Sequence, residues 1–385
     1  MQTWYQRRDG RLYLKLLMCV LFLFIVILAG CNNEDEIETY WPTEEWRTTT
    51  PESVGADSND LADMFELIKK NNLPMDGLIV VKDGYIIAEK YGNNYTIDDF
   101  HEVHSITKTV TSAILGTVMR DGIIKSTEEY VFDYLDESPL TSMKEEKSNL
   151  TIKHFLTMTS GIDFPEVTME DFYNSKIWEQ FVYDKQPPYY YLNRRLREDA
   201  PAWNYSSGDT HIVSTVIQKA LGEPIDEYAQ KYVFDPIGIQ EVKWEKDVSG
   251  VSFGGFSMSM IPRDIARMGY LYLQDGVWDG EQIFAEGWVD ESTQPYEEVN
   301  LLEDGQYGYS IWLKNIAGYD TFMAIGYAQQ YMVVVPDLEL IVVQTSNNMD
   351  LLPLLEKYII PSIQSDEPLP ENETAYERLQ QLLNG

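Results

Sequence analysis

Two stretches rich in β-branched and aromatic residues stand near opposite ends of this chain. They are GLIVVKDGYIIAEKYG, residues 77–92, and TFMAIGYAQQYMVVVPDLELIVVQTSN, residues 321–347. Each reads as two strands around a turn, Asp83-Gly84 in the first and Pro336-Asp337 in the second. The sequence between them is mainly helical: residues 152–158, 211–221 and 262–273 carry a 3.6-residue apolar period, the last two closed by Gly222 and Gly276. Leu61, Met64, Phe65 and Ile68 form a helical stripe ahead of the first hairpin, and DLLPLLEKYII after the second reads as a terminal helix. No internal repeat interrupts this order. The simplest architecture is an α+β fold, an α/β sandwich whose antiparallel sheet comes from both chain ends, with flanking helices and a mainly helical insert.

The first thirty residues obey a different pattern. Arg7, Arg8, Arg11 and Lys15 precede an uncharged apolar run from Leu16 to Ala29, after which the chain turns to CNNEDEIE. That run is shorter than the roughly 20 residues that span a bilayer and matches the h-region of a signal peptide. Leu28-Ala29-Gly30-Cys31 resembles the bacterial lipobox, which implies lipidation of Cys31 and a membrane anchor. An uncleaved signal anchor from Leu12 to Ala29 is the alternative, and either places the domain outside the cytoplasm. The expected organisation is a signal peptide at 1–30, an acidic spacer at 31–50, a catalytic-size domain at 51–365 and a peripheral tail at 366–385.

Charge and cysteine usage exclude several classes. With 63 acidic against 29 basic residues the formal charge is −34, which repels a phosphate backbone and argues against nucleic-acid partners. The two cysteines, Cys19 and Cys31, both precede the domain, so a disulfide, a Cys nucleophile and a thiolate metal site are set aside. His101, His104, His154 and His211 are dispersed without metal spacing, and no metal or organic cofactor is expected. His104, adjacent to Ser105, is expected to point its side chain elsewhere. No G-x-S-x-G elbow occurs.

The candidate chemistry lies in SITKTVTSAILGTVMRDG, residues 105–122. Ile106, Val110, Ala113, Ile114, Thr117 and Val118 predict a helix with one buried stripe, ending at Asp121-Gly122. Ser105 and Lys108 fall in its first turn, three residues apart, where an ammonium reaches a hydroxyl and the helix N-terminus adds N–H groups. A serine hydroxyl needs a base beside it, and a buried lysine serves once desolvation lowers its pKa. A Ser-x-x-Lys spacing also arises by chance, with Ser105 as a plain helix cap.

Further segments follow in a telling order. SITKTVTSAILGTVMRDGII, TIKHFLTMTSGIDF, PAWNYSSGDTHIVSTVIQKALG, GGFSMSMIPRDIARMGYLYLQDGVWDG and AIGYAQQYMVVVPDLELIVV together resemble the ordered motifs of the β-lactamase-related serine hydrolases, over about Leu78 to Asn347. That group holds class C β-lactamases, D-alanyl-D-alanine carboxypeptidases, esterases and nylon-oligomer hydrolases. The resemblance implies a β-lactamase/transpeptidase-like fold and an acyl-serine mechanism. It makes Ser105 the nucleophile, Lys108 its ion partner and Tyr205 the phenol that takes and returns the proton, with the N–H groups of Ser105 and Gln330 as the oxyanion hole. Tyr205 stands in a polar loop before a helix that Asp209 is expected to cap.

Four positions depart from the family pattern. Tyr327, Ala328 and Gln329 stand where relatives carry Lys-Thr-Gly or His-x-Gly, with glycine usual in close relatives at Ala328 and Gln329. Tyr327 supplies no positive charge for a substrate carboxylate, so a neutral ester or small amide is favoured over a β-lactam or D-alanyl peptide. Gln329 is expected to narrow the cleft, and Ser207 replaces an asparagine amide that grips substrate. Tyr189, Tyr190 and Tyr191 read as a packed loop or a cleft wall. The competing reading is a non-catalytic or penicillin-binding-type envelope protein. The oligomeric state is left open.

Overall fold

The computed structural model describes residues 40–136, 140, 144–164, 166 and 175–385. The signal region, Cys31 and the spacer up to residue 39 lie outside the described residues.

The first end stretch folds as its turn requires, whereas the second, read as two strands around Pro336-Asp337, makes three, Tyr319–Gly326, Gln330–Val335 and Leu340–Ser346, because the chain also turns at Ala328 and Gln329. Asp83 and Gly84 take φ of +51° and +77°, the left-handed pair that matches a tight hairpin to strand twist. The strands are β1 Met75–Lys82, β2 Tyr85–Tyr91, β3 Glu297–Val299, β4 Gly305–Tyr307, β5 Trp312–Ile316, β6 Tyr319–Gly326, β7 Gln330–Val335 and β8 Leu340–Ser346. They form one sheet in the order β2-β1-β8-β7-β6-β5-β4-β3. Every neighbouring pair is antiparallel. The two end stretches meet between the second and third strands of that order, where Leu78 opposes Gln344 and Val80 opposes Val342.

Strands β1, β7 and β8 are buried along their whole length, so both faces must be covered. The main helices are α1 Ser58–Asn71, α2 Ile106–Arg120, α3 Ile152–Leu156, α4 Pro187–Leu192, α5 Ser207–Leu221, α6 Pro262–Leu273 and α7 Glu373–Asn384. Leu61, Met64 and Phe65 of α1 share a core with Leu78 and Val80, whereas Ile79 and Val81 pack with α2, α5 and α6. Helices on both faces of an antiparallel sheet give the α+β sandwich expected. Arg263 at the start of α6 holds Glu89 of β2 through two bonds of 2.8 and 2.6 Å, and Asp264 pairs with Arg267.

The folded chain differs from the sequence expectations in three further places. Helix α2 is not buried on one stripe only: every residue from Ile106 to Val118 is buried. Its polar face is tolerated because threonine hydroxyls find carbonyls, Thr109 donating to Ser310 O at 2.7 Å and Thr111 to Gly254 O at 2.9 Å. The compact unit begins at Trp41, ten residues before the expected Pro51, because Trp41 packs on Tyr270 and Trp278 and Trp46 is buried against Tyr270. The tail read as peripheral carries α7, whose Leu379 is buried beside α1 and whose Arg378 pairs with Asp63 and Glu66. Among the described residues no helix is long and apolar enough to cross a membrane.

Candidate active site

The chain enters the site through the short strand His101–Glu102, which pairs with Met258–Met260. Val103 N donates to Met258 O at 2.8 Å, His104 turns left-handed at φ +49°, and Ser105 begins the first turn of α2. Ser105 occupies the cap position, yet its hydroxyl makes no capping bond. Lys108 Nζ donates to it instead, at 3.0 Å. The plain helix-cap reading of this serine is therefore set aside by the geometry.

Lys108 is 1% exposed, and its three N–H groups have three acceptors: Ser105 Oγ, Ser207 Oγ at 2.8 Å and Gly255 O at 2.8 Å. Burial pulls its pKa down to about 8, against the opposing pull of Glu166. The Gly255 carbonyl reaches it because the Gly254-Gly255 loop lies flat on α5. A Cβ on Gly254 would sit 2.2 Å from Thr210 O, and one on Gly255 would sit 2.8 Å from Ser207 O. Behind that loop the buried His211 and Asp247 pair at 3.0 Å, and Asp247 also accepts from Ser249 and Val251.

Tyr205 comes to the same place. The Lys108 ammonium lies 4.7 Å from the centroid of its ring. The ring is held by Trp312 at 5.5 Å and by Trp203 and Tyr307, each at 6.3 Å. Helix α5 starts just beyond and is capped by Ser206, whose Oγ accepts from Asp209 N at 3.4 Å, rather than by Asp209. The Asp209 carboxyl is buried and accepts from Tyr191 OH at 2.7 Å; burial raises its pKa to about 8. Tertiary contact has overridden the local capping preference, and Tyr191 is thereby a buried support rather than a cleft wall.

Sequence reasoning missed Glu166. Its carboxylate is buried and both oxygens go to one residue: Ser207 Oγ donates to Oε1 at 2.6 Å, and Ser207 N donates to Oε2. Burial raises its pKa, while Lys108 and the Ser207 bonds pull it back. Ser207, expected to face substrate, thus spends its hydroxyl between Lys108 and Glu166. A lone glutamate in a chain with 63 acidic residues carries no spacing that marks it.

The β6–β7 hairpin forms the other side. Gly326 lies so close to the strand leading to Ser105 that a Cβ there would be 2.4 Å from Val103 O. Next to it Tyr327, 41% exposed, meets the His104 ring edge to face at 5.5 Å, and His104 Nδ1 is 3.2 Å from Glu102. His104 thus turns to the rim beside Tyr327. Ala328 and Gln329 have φ of +59° and +67°, the left-handed conformation that glycine adopts freely. Gln329 Oε1 accepts from Tyr331 OH at 2.6 Å, which fixes the side chain within the hairpin. The Gln330 amide donates to Tyr327 O, Ala328 O and Ser346 O, so only its backbone is left to address a substrate. Among the described residues no group of His, Cys, Asp and Glu is arranged to hold a metal ion.

Comparison with known proteins gives consistent matches. A 6-aminohexanoate-dimer hydrolase of Paenarthrobacter ureafaciens is 23% identical over 224 residues, 56% of this chain and 56% of that protein, so the chain spans little more than half of that relative's length. The octameric penicillin-binding protein homologue from Pyrococcus abyssi superposes with a TM-score of 0.62 at 16% identity, covering 81% of this chain and 78% of that one. A D-stereospecific amidohydrolase from Streptomyces sp. does so with a TM-score of 0.60 at 17% identity, covering 76% and 94%. These likenesses show a shared fold. The profile of the family described as Beta-lactamase matches residues 62–357, a span that runs from α1 past β8 and holds every residue placed around Ser105. The chain belongs to the beta-lactamase family.

Proposed function

We propose that this protein is a serine hydrolase that forms an acyl-enzyme on Ser105 and hydrolyses a carboxylic ester or a small amide. The observation that carries the reading is the uncapped Ser105 hydroxyl held 3.0 Å from a buried lysine whose pKa is pulled down to about 8. Names among the similar proteins, a 6-aminohexanoate-dimer hydrolase and a D-stereospecific amidohydrolase, support the same class of reaction.

In this mechanism Ser105 Oγ attacks the substrate carbonyl and its proton passes to the Lys108–Tyr205 pair, which returns it to the leaving group. Lys108, beside the Tyr205 ring, favours the phenolate electrostatically. The developing oxyanion is assigned to the backbone N–H groups of Ser105 and Gln330. Water then enters by the reverse path and releases the acid. Tyr327 presents an aromatic edge instead of a cation, which favours a neutral substrate over one bearing a carboxylate. We further propose that the domain is held outside the cytoplasm by a lipid on Cys31, and that no resident cofactor takes part.

The test is labelling of the full-length protein with a fluorophosphonate probe and location of the adduct by mass spectrometry. A single adduct on Ser105, absent from Ser105→Ala, is expected. Well-folded protein that takes no label would sink the hydrolase reading and favour a ligand-binding protein.

A further inference from the structure

Glu166 has no part in the mechanism above, yet it is tied to that mechanism's lysine by one hydroxyl. Lys108 Nζ lies 2.8 Å from Ser207 Oγ, and Ser207 Oγ lies 2.6 Å from Glu166 Oε1. A lysine ammonium only donates and a carboxylate only accepts, while a hydroxyl has one proton to give. The direction is thereby fixed: Lys108 donates to Ser207, and Ser207 donates to Glu166. The Ser207 N–H clamps the second carboxylate oxygen at the first turn of α5, where the helix dipole also favours negative charge.

We propose that Glu166 is a positioning residue that, through the Ser207 hydroxyl, sets the protonation of Lys108. The carboxylate, one hydroxyl away, is the countercharge that keeps Lys108 an ammonium beside the Tyr205 ring. This inference rests on the Ser105 reading and gives that site the group that holds its cation charged.

Burial strengthens the coupling. Both groups are desolvated, which lowers the Lys108 pKa and raises that of Glu166, bringing the two toward each other. The other titratable groups facing them are Asp209 of α5, Tyr205 ahead of it and Tyr307 of β4. Asp209, its pKa pushed up to about 8, is mainly neutral at pH 7, and burial pushes the Tyr307 phenol far up.

The test uses the full-length protein with lysines carrying ¹³C at Cε, the Lys108 resonance being assigned from Lys108→Arg. Removing the carboxylate in Glu166→Gln is expected to lower the Lys108 midpoint by about one pH unit, a tenfold change in proton affinity. Ser207→Ala removes the bridging hydroxyl while keeping the carboxylate, and is expected to shift the midpoint less, in the same direction. The pH limb of fluorophosphonate labelling at Ser105 should move with it. An unmoved or raised midpoint in folded Glu166→Gln overturns the proposal, as does an equal shift in Asp209→Asn. Should Glu166→Gln fail to fold, Ser207→Ala decides, and an unmoved midpoint there overturns it. The resonance reads Lys108 whether or not Ser105 reacts. A moved midpoint beside an unlabelled serine would therefore overturn the hydrolase reading and leave the coupling standing.

Discussion

Lys108 Nζ and Ser207 Oγ lie 2.8 Å apart although 99 residues separate them in the chain. The contact joins the first turns of α2 and α5, so Ser105 and the loop that carries Tyr205 are held against one lysine. Removing that lysine strands Glu166 in a buried place without its countercharge. We predict that Lys108→Met costs about 3–5 kcal/mol of stability, and that Lys108→Met with Glu166→Gln recovers most of it. Denaturant unfolding of the three proteins measures this, and a double variant no more stable than the single one would rule the coupling out.

Catalysis should respond more steeply than stability. Tyr205→Phe keeps the ring that packs on Trp312 and removes only the hydroxyl. A loss of about 10²–10⁴-fold in kcat/KM is expected, the range for a general acid or base, with the unfolding temperature little changed. Ester hydrolysis that survives within threefold would remove Tyr205 from the proton path.

Asp209 gives the fold a pH signature. Its carboxyl pKa is raised from an ordinary 3.8 to about 8 by burial, so the folded state holds this proton more tightly than the unfolded one. The stabilisation is complete below about pH 4 and is lost as pH rises through about 8. Asp209→Asn keeps an acceptor for Tyr191 OH and cannot ionise. Its stability relative to the parent should therefore improve from about pH 4 to about pH 8 and level off above that in thermal unfolding. A difference independent of pH would show that Asp209 is not held neutral.

The turn at Ala328 and Gln329 stores backbone strain, because side-chain-bearing residues cost about 1–2 kcal/mol in the left-handed region. Ala328→Gly is expected to be neutral or stabilising by up to about 1 kcal/mol, whereas Ala328→Val, branched at Cβ, should destabilise by more than about 1 kcal/mol. Equal unfolding midpoints for the two variants would contradict the assigned turn.

Selectivity follows from the rim. Tyr327→Lys places a cation beside His104, near Ser105. We predict that it raises kcat/KM for an ester bearing a carboxylate by about tenfold relative to its neutral analogue, and that salt reduces the gain. An unchanged ratio would move substrate recognition away from this hairpin.

Much of this arrangement is legible in the sequence where the signal is local. The Asp83-Gly84 turn, the apolar period of α5 and its Gly222 stop, and the three-residue step from Ser105 to Lys108 each depend on neighbours in the chain. What escapes depends on distant partners. Glu166 is defined by Ser207, 41 residues away, and the Asp209 carboxyl leaves its capping role because Tyr191 offers a better bond in the interior. Burial on every side of α2 is equally invisible, since its threonines read as a polar face until the carbonyls of Ser310 and Gly254 arrive from far along the chain.

The pairing of β1 with β8 also orders events in time. Leu78 meets Gln344 and Lys82 meets Leu340, so β1 cannot join the rest of the sheet until the chain has been made as far as β8. Such distant pairings slow folding, because the entropy of closing a very long loop is lost before any contact repays it. A nascent chain stopped short of Leu340 already holds Ser105, Lys108 and Tyr205 but lacks the strand that completes the sheet beneath them. The fold therefore ties assembly of the Ser105 site to the arrival of β8.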